Sequence, residues 1–546
     1  MRKTAPPEAA RTCLSLRALV ASLAALAVAV SCSPSDPGPS VDAAAAGSGG
    51  QGGSGGSAGG SATAGSGGGA SGASGGASGT SGGATGGSGG SPSEPRPVVT
   101  AAPGTELVRI DTDVLHQPFE GWGTSLCWWA HHVGGWDEAR RNAVVDAVVD
   151  PVSGLGYNIF RYNIGGGENP SHEHMEKHRE MPGFQGADGT FTWENDANQR
   201  AILLRIAARG EDLIFEAFSN SPPYWMTNSG CASGSGNGGD NLKADRYDDF
   251  AHYLTEVVRH YRDEHAITFR TLEPLNEPQA NWWKSNGSQE GCHFDRASQE
   301  KIIQEVAKQL ASKGLVDTVV SASDENSMDD AVRNISAFGA ETLAAFQQIN
   351  VHSYAGSQRK ELRQLATALG KRLWQSESGP LGQSLSDDTD AALFMAERII
   401  RDLRDLKPEA WVDWQSGDPS RSWASFTLND RDQSYTPIKR FYMHAGFSRY
   451  IRPGATFVEV DSEDMVAAVS ADGGSLTLVV RNGDRDASRG YTLDLTRLPT
   501  VGPAAEAHRT SRTEDLERLP DMAIEDYRLV VTVPAFSVTT FVIPMP

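Results

Sequence analysis

Two acidic residues stand at the ends of short apolar runs. Glu277 closes Thr271-Leu-Glu-Pro-Leu-Asn-Glu-Pro278, directly after Asn276, and Glu377 lies in Leu373-Trp-Gln-Ser-Glu-Ser-Gly379. Runs of this kind read as strands, so each carboxyl leaves the exit of a strand. Two carboxyls facing each other suit glycosidic bond cleavage, in which one protonates the leaving oxygen and the other attacks the anomeric carbon. Glu273 lies four residues before Glu277 and leaves the strand on the same face. It is read as a buried partner of an arginine rather than as the acid. Glu325, in Asp324-Glu-Asn326, is a weaker candidate at the rim.

The elements that must hold this pair follow from periodicity. Candidate strands are Phe119–Trp128, Asn158–Ile164, Leu213–Phe218 and Phe269–Leu275, then Thr318–Ala322, Gln348–His352, Arg372–Ser376 and Ala410–Trp414. Helical patterns lie between them. Phe250, Leu254, Val257, Val258 and Tyr261 share one face, and Leu393, Ala396, Ile400 and Leu403 share another. Eight strand–helix units predict an α/β fold, a (β/α)8 TIM barrel over residues 119–451, with a last helix at Ile438–Tyr450. Such a barrel gathers its working groups at the C-terminal strand ends, so Glu277 on the fourth strand faces Glu377 on the seventh. From about Thr456 apolar and polar residues alternate, as in Ser475–Arg481 and Arg528–Val533. That pattern predicts an antiparallel β-sandwich domain over residues 452–546. Residues 99–118 lead into the barrel, and Glu106–Thr112 is expected to lend the sandwich a strand.

From about Glu106 to the C terminus the chain resembles glycoside hydrolase family 30, a family of retaining barrel glycosidases with an appended β-sandwich. The resemblance implies that Glu277 is the acid/base and Glu377 the nucleophile of a double displacement, with no cofactor. It also implies substrate-binding roles for further residues. Asn276 would hydrogen-bond a sugar 2-hydroxyl, and Arg161 would keep Glu377 ionised. His352 and Tyr354 would line the pocket, and Trp225, Trp414 and Trp128 would pack on sugar rings, whose C–H faces suit indole. The stretches Gly121-Trp-Gly-Thr-Ser-Leu-Cys-Trp-Trp-Ala130, Arg161-Tyr-Asn-Ile-Gly-Gly-Gly167 and Ser219–Gly230 resemble the endo-β-1,6-galactanase branch. The implied substrate is the β-1,6-galactan of arabinogalactan-type polysaccharides. The alternatives are a β-1,6-glucanase or another family 30 β-glycosidase and, more distantly, an inactive carbohydrate-binding protein at the cell surface.

The chain has 546 residues, 39% of them hydrophobic, enough for a large core and more than one domain. Its net charge of −21 excludes nucleic acid as a natural partner. Residues 1–32 read as an export signal, basic at Arg2, Lys3, Arg11 and Arg17 and apolar from Ala18 to Val30. The signal ends in Ala29-Val30-Ser31-Cys32, which resembles a lipobox and makes Cys32 a lipidation candidate. Residues 33–98 form a Gly/Ser/Ala-rich linker holding 24 of the 59 glycines, too poor in apolar groups to fold. An exported protein is therefore expected, at the cell surface or secreted. It is expected to be a monomer that meets a membrane only through a lipid anchor and takes polysaccharide or oligosaccharide as its partner. Cys231 and Cys292 lie in polar loops and are the disulfide candidates, with Cys127 left free. His172-Glu-His-Met-Glu-Lys-His178 lacks the spacing of a zinc-protease motif. It is read as a substrate-contacting loop, and no metal is assigned.

Overall fold

In the computed structural model, residues 96–210, 212–380, 387–421 and 423–546 are described. The expected export signal, Cys32 and the linker up to residue 95 lie outside them. Strand β1 (Glu106–Pro118) is followed by eight strands that close into a parallel barrel. These are β2 (Gly121–Ser125), β3 (Ile159–Asn163), β4 (Ile214–Phe218), β5 (Thr271–Glu273), β6 (Val319–Ser327), β7 (Phe346–Ala355), β8 (Arg372–Glu377) and β9 (Ala410–Gln415). Closure is completed by β9 pairing with β2, Gly121 opposite Ala410 and Thr124 opposite Asp413. All eight predicted strands are present. The fourth barrel strand, β5, is short because Pro274 has no N–H for a ladder bond.

The helices pack outside the barrel through the predicted faces. In the helix Tyr247–His265, residues Phe250, Leu254, Val257, Val258 and Tyr261 are buried in the main core. The last barrel helix runs from Lys439 to Ser448. No described helix is long and apolar enough to cross a membrane.

The C-terminal strands and β1 form a nine-stranded sheet folded on itself. β1 joins its two halves. Leu107 and Val108 run parallel to Thr492 and Leu493, and Ile110 lies antiparallel opposite Val460. Leu476, Leu478, Val480, Phe541 and Ile543 from one half and Leu493, Leu529, Val531 and Val533 from the other share one apolar core. The opposite face of the same strands is also covered. Val466, Ala468, Val479 and Val538 pack into the barrel's core, and Thr540 Oγ1 donates to the Gly446 carbonyl at 2.7 Å. The sandwich thus braces the last barrel helix.

The cysteines correct one expectation. Cys231 and Cys292 are not joined, and Cys127, Cys231 and Cys292 are all free thiols. The two loops do meet, with the Gly291 N–H 2.9 Å from the Ala232 carbonyl. Their thiols are aimed differently: Cys231 Sγ lies 3.1 Å from His172 Nδ1, and Cys292 Sγ is 3.6 Å from the His293 carbonyl.

Candidate active site

The site stands on a buried polar floor inside the barrel. Glu216, on β4, is fully buried and accepts hydrogen bonds from four other strands. Its donors are Arg161 Nε at 2.7 Å, Thr271 Oγ1 at 2.6 Å, Ser321 Oγ at 3.2 Å, Gln348 Nε2 at 3.3 Å and Asn350 Nδ2 at 3.0 Å. A buried carboxylate persists only when so satisfied.

Arg161 carries that charge upward. Nη2 is 2.5 Å from Asp324 Oδ2, and Nη1 is 3.1 Å from the Ser376 carbonyl and 3.5 Å from Glu377 Oε2. Burial opposes its charge, but Asp324, Glu216 and Glu377 together hold the guanidinium above its ordinary range. Burial likewise works against an ionised Asp324, yet Arg161 and His352 hold its carboxyl below the usual range.

Above this floor the two predicted glutamates meet. Glu277 follows β5 and Glu377 ends β8; both are buried, and one oxygen of each lies within 4.8 Å of the other. His352 on β7 sits between them, with Nδ1 3.2 Å from Glu277 Oε1 and 3.4 Å from Glu377 Oε1, and with Nε2 3.3 Å from Asp324 Oδ1. Burial alone would lower the His352 pKa, but Glu377 and Asp324 raise it well above the ordinary value. The Glu277–His352–Glu377 cluster brings three possible ligand atoms within 4.8 Å, and a cation there would compete with the proton that Glu377 and Asp324 favour on His352. Asn326 Nδ2 donates to Glu277 Oε1 at 2.6 Å, and Tyr354 Oη donates to Glu377 Oε1 at 3.1 Å.

Burial pushes the Glu377 carboxyl up to about 7, with Glu277 adding to the effect and His352 and Arg161 opposing it. Arg161 therefore does less for Glu377 than the sequence suggests, because its two shortest contacts go to Glu216 and Asp324.

The backbone at the site is left-handed at two non-glycine residues, Glu277 (φ 47°) and Asp324 (φ 54°). Each costs about 1–2 kcal/mol for an L-residue. The Glu277 N–H donates to the Asp324 carbonyl at 2.8 Å, so the two turns hold one another. The Glu277 carbonyl in turn accepts from Trp283 Nε1 at 3.2 Å. The indole fits there because residue 291 is glycine; a Cβ at that position would meet the Trp283 ring at 2.1 Å.

The remaining expected residues divide. Asn276 is buried and its Oδ1 has no protein partner, leaving it open to a substrate hydroxyl. Trp128 and Trp414 pack edge to face with ring centres 5.2 Å apart, in one cluster with Phe218 and Met181. Trp128 Nε1 is likewise buried and unpartnered. Trp225 is not part of that cluster. It packs on the main core, and its indole N–H is bound to the Gln185 carbonyl at 3.0 Å.

Two readings are corrected. Glu273 is buried as expected but makes no ion pair within 4 Å among the described residues; burial raises its pKa well above the usual carboxyl value, with Asp324 and Glu216 adding to the rise and Arg161 opposing it. Glu325 is not at the rim. It is buried against Asn334 Nδ2 at 2.6 Å and Gln299 Nε2 at 3.1 Å, and burial pushes it up to about 8. Sequence reasoning missed Glu216, Asp324, Asn326 and Trp283. A charged residue inside the apolar run Ile214-Phe-Glu-Ala-Phe218 was the available signal for Glu216, and Asp324 and Asn326 flank the glutamate that drew attention.

Known proteins match along most of the described chain. The pattern of O-glycosyl hydrolase family 30 covers residues 105–422. An endo-β-1,6-galactanase from Hypocrea rufa is 35% identical over 436 residues, 74% of this chain and 88% of that protein. An exo-β-1,6-galactobiohydrolase from Bifidobacterium longum is 26% identical over 400 residues, 54% of this chain and 26% of that protein. Among solved structures, the catalytic domain of a family 30 xylanase C from Talaromyces cellulolyticus superposes with a TM-score of 0.64 at 20% identity. It covers 81% of this chain and all of that one.

Proposed function

This chain belongs to glycoside hydrolase family 30 and is an O-glycosyl hydrolase; from that premise we propose that it cleaves β-1,6-galactosidic linkages with retention of configuration. The observation that carries the reading is the pair Glu277 and Glu377, with oxygens within 4.8 Å, in a chain 35% identical to an endo-β-1,6-galactanase. Retaining enzymes hold their carboxyls about 5–5.5 Å apart, whereas inverting ones leave about 6.5–9.5 Å for a water.

In the proposed mechanism Glu377 attacks the anomeric carbon as the bond to the leaving oxygen breaks. Glu277 gives that oxygen its proton through Oε2, because Oε1 is held by Asn326 and His352. Glu277 then takes a proton from water, which displaces Glu377 from the sugar. Arg161, Tyr354 and His352 stabilise the Glu377 carboxylate before attack and when it departs. Asn276 binds the 2-hydroxyl, and Trp128 and Trp414 wall the sugar face. The export signal and Cys32 support a surface or secreted enzyme acting on polysaccharide outside the cell.

The test is product analysis on β-1,6-galactan, β-1,6-glucan, glucuronoxylan and a set of aryl β-glycosides. Short β-1,6-galacto-oligosaccharides with β configuration at the new reducing end are the expected outcome. Cleavage of glucan or xylan in place of galactan discards the substrate and keeps the carboxylate pair. An α product discards double displacement.

A further inference from the structure

A second cluster of ligating groups stands apart from the two glutamates, where the loop after β3 (residues 164–196) crosses the loop after β4 (residues 219–246). His172 and His174 come from the first loop and Cys231 from the second, and one ligand atom of each lies within 4.8 Å of the others. His172 Nδ1 is 3.1 Å from Cys231 Sγ, and the two imidazoles stack with centres 4.6 Å apart. His178, the third histidine of the segment, turns away to His132, with ring centres 5.0 Å apart.

We propose that His172, His174 and Cys231 form a binding site for one zinc-like divalent cation, which clamps these two loops together. Three observations carry it.

The first is the donor set. Two imidazoles and a thiol form a borderline-soft set that suits Zn2+, with bonds of about 2.0–2.1 Å to nitrogen and about 2.3 Å to sulfur. Ligand atoms around a tetrahedral zinc then stand about 3.5 Å apart. The present separations require only a small shift of side chains on loops, one of which, His172, is exposed.

The second is the support around His174. Its Nδ1 faces the His172 carbonyl at 2.8 Å and Glu168 Oε1 at 3.2 Å. An N–H held in this way on a carbonyl and a carboxylate fixes the tautomer and leaves the lone pair on Nε2, as outer partners do for metal-binding histidines. Ser233 Oγ, 2.9 Å from Nε2, occupies that lone pair when no cation is bound. Glu168 is itself anchored by the backbone N–H of His174 and by that of Met175 at 2.6 Å, and its Oε2 is buried without a partner.

The third is charge. The Glu168 carboxyl lies 3.2 Å from His174 Nδ1, so a cation entering the cluster meets an acidic group beside one of its ligands. Binding replaces the S–H proton of Cys231 with the metal and releases that proton to solvent; nothing is oxidised or reduced. Solvent completes the fourth position beside exposed His172.

The experiment uses the purified full chain loaded with Zn2+ or Co2+ and freed of excess metal. One equivalent of zinc per chain is expected, with a melting temperature higher in zinc than in chelator. The cobalt form should show a thiolate-to-metal charge-transfer band. Cys231→Ser and His172→Ala should each weaken zinc binding at least about hundredfold and abolish the zinc-dependent melting shift, and Cys231→Ser should remove the band. Glu168→Gln should weaken binding about 10–100-fold. Glu377→Gln should bind zinc as the parent does. Failure of the parent to retain zinc overturns the site, and so does equal retention by Cys231→Ser. Zinc lost with Glu377→Gln but kept with Cys231→Ser would place the metal between the glutamates and overturn it as well. None of these readouts depends on which polysaccharide is cleaved.

Discussion

The barrel interior and the sandwich core are both buried, yet they are held together in opposite ways. In the sandwich, Leu476, Leu478, Val480, Phe541 and Ile543 meet Leu493, Leu529, Val531 and Val533, and the contact is apolar throughout. In the barrel, Arg161, Glu216, Asp324, His352, Glu277 and Glu377 occupy the equivalent interior, with Glu273 beside them. The first arrangement stabilises by removing apolar surface from water, at about 25 cal/mol per Å2. The second gains little net stability, because desolvation offsets ion pairing. It does hold two carboxyls, an imidazole and a guanidinium at fixed positions. The sandwich therefore supplies stability that the barrel mouth cannot.

That contrast can be broken most severely at Glu377. Glu377→Gln should lower kcat by at least about four orders of magnitude, measured on the polysaccharide, while the fold persists. Glu277→Ala should lose comparable activity on polysaccharide but retain far more on aryl glycosides whose leaving groups need no proton. Equal losses on both substrates would refute the division of roles.

Arg161→Met attacks the floor. Glu216 and Asp324 would be left as buried charges without their counter-ion, a cost of about 3–5 kcal/mol in chemical denaturation, with activity lost as well. Phe541→Ala should cost a similar 3–5 kcal/mol from the sandwich core. In that variant kcat of the folded fraction should stay at the parent value, and a parallel fall in kcat would erase the contrast.

The pH dependence sharpens it further. With Glu377 pushed up to about 7, kcat/KM should rise with pH through an inflection near 7. The same shift makes the folded state bind a proton that the unfolded chain, with a carboxyl near 4.5, has released. This group's contribution to stability is therefore complete below about 4.5 and declines as pH rises to about 7, by about 3 kcal/mol in all. Glu377→Gln should gain stability relative to the parent across that window, as denaturation at pH 5 and pH 8 would show. Asp324 acts in the reverse sense, stabilising above its ordinary value of 3.8 and losing that contribution in acid. The smallest effect is expected from Tyr354→Phe, which removes a hydrogen bond to the carboxylate and should move the kinetic inflection upward by about one pH unit.

Periodicity and strand-exit motifs by themselves determined the barrel, its eight strands, and the two glutamates. Apolar spacing is a local property, and Asn276-Glu277-Pro278 and Trp374-Gln-Ser-Glu377 each lie within a few residues. What the chain did not reveal is how distant polar residues pair. Arg161 was legible as a site residue, but its division between Glu216, Asp324 and Glu377 arises only when β3, β4, β6 and β8 close around one axis. Glu325 reads as a rim candidate because its type is visible in sequence and its burial is not; Glu273 reads correctly as buried, but its acidic neighbours Asp324 and Glu216 are not visible in sequence. Cys231 offered the same ambiguity. Its polar-loop setting suggested Cys292, whereas side-chain direction gives it His172, 59 positions away. Local pattern fixes which elements form; partner choice for a buried charge or thiol is settled by which side chains the closed barrel brings within about 3 Å, where a hydrogen bond can form.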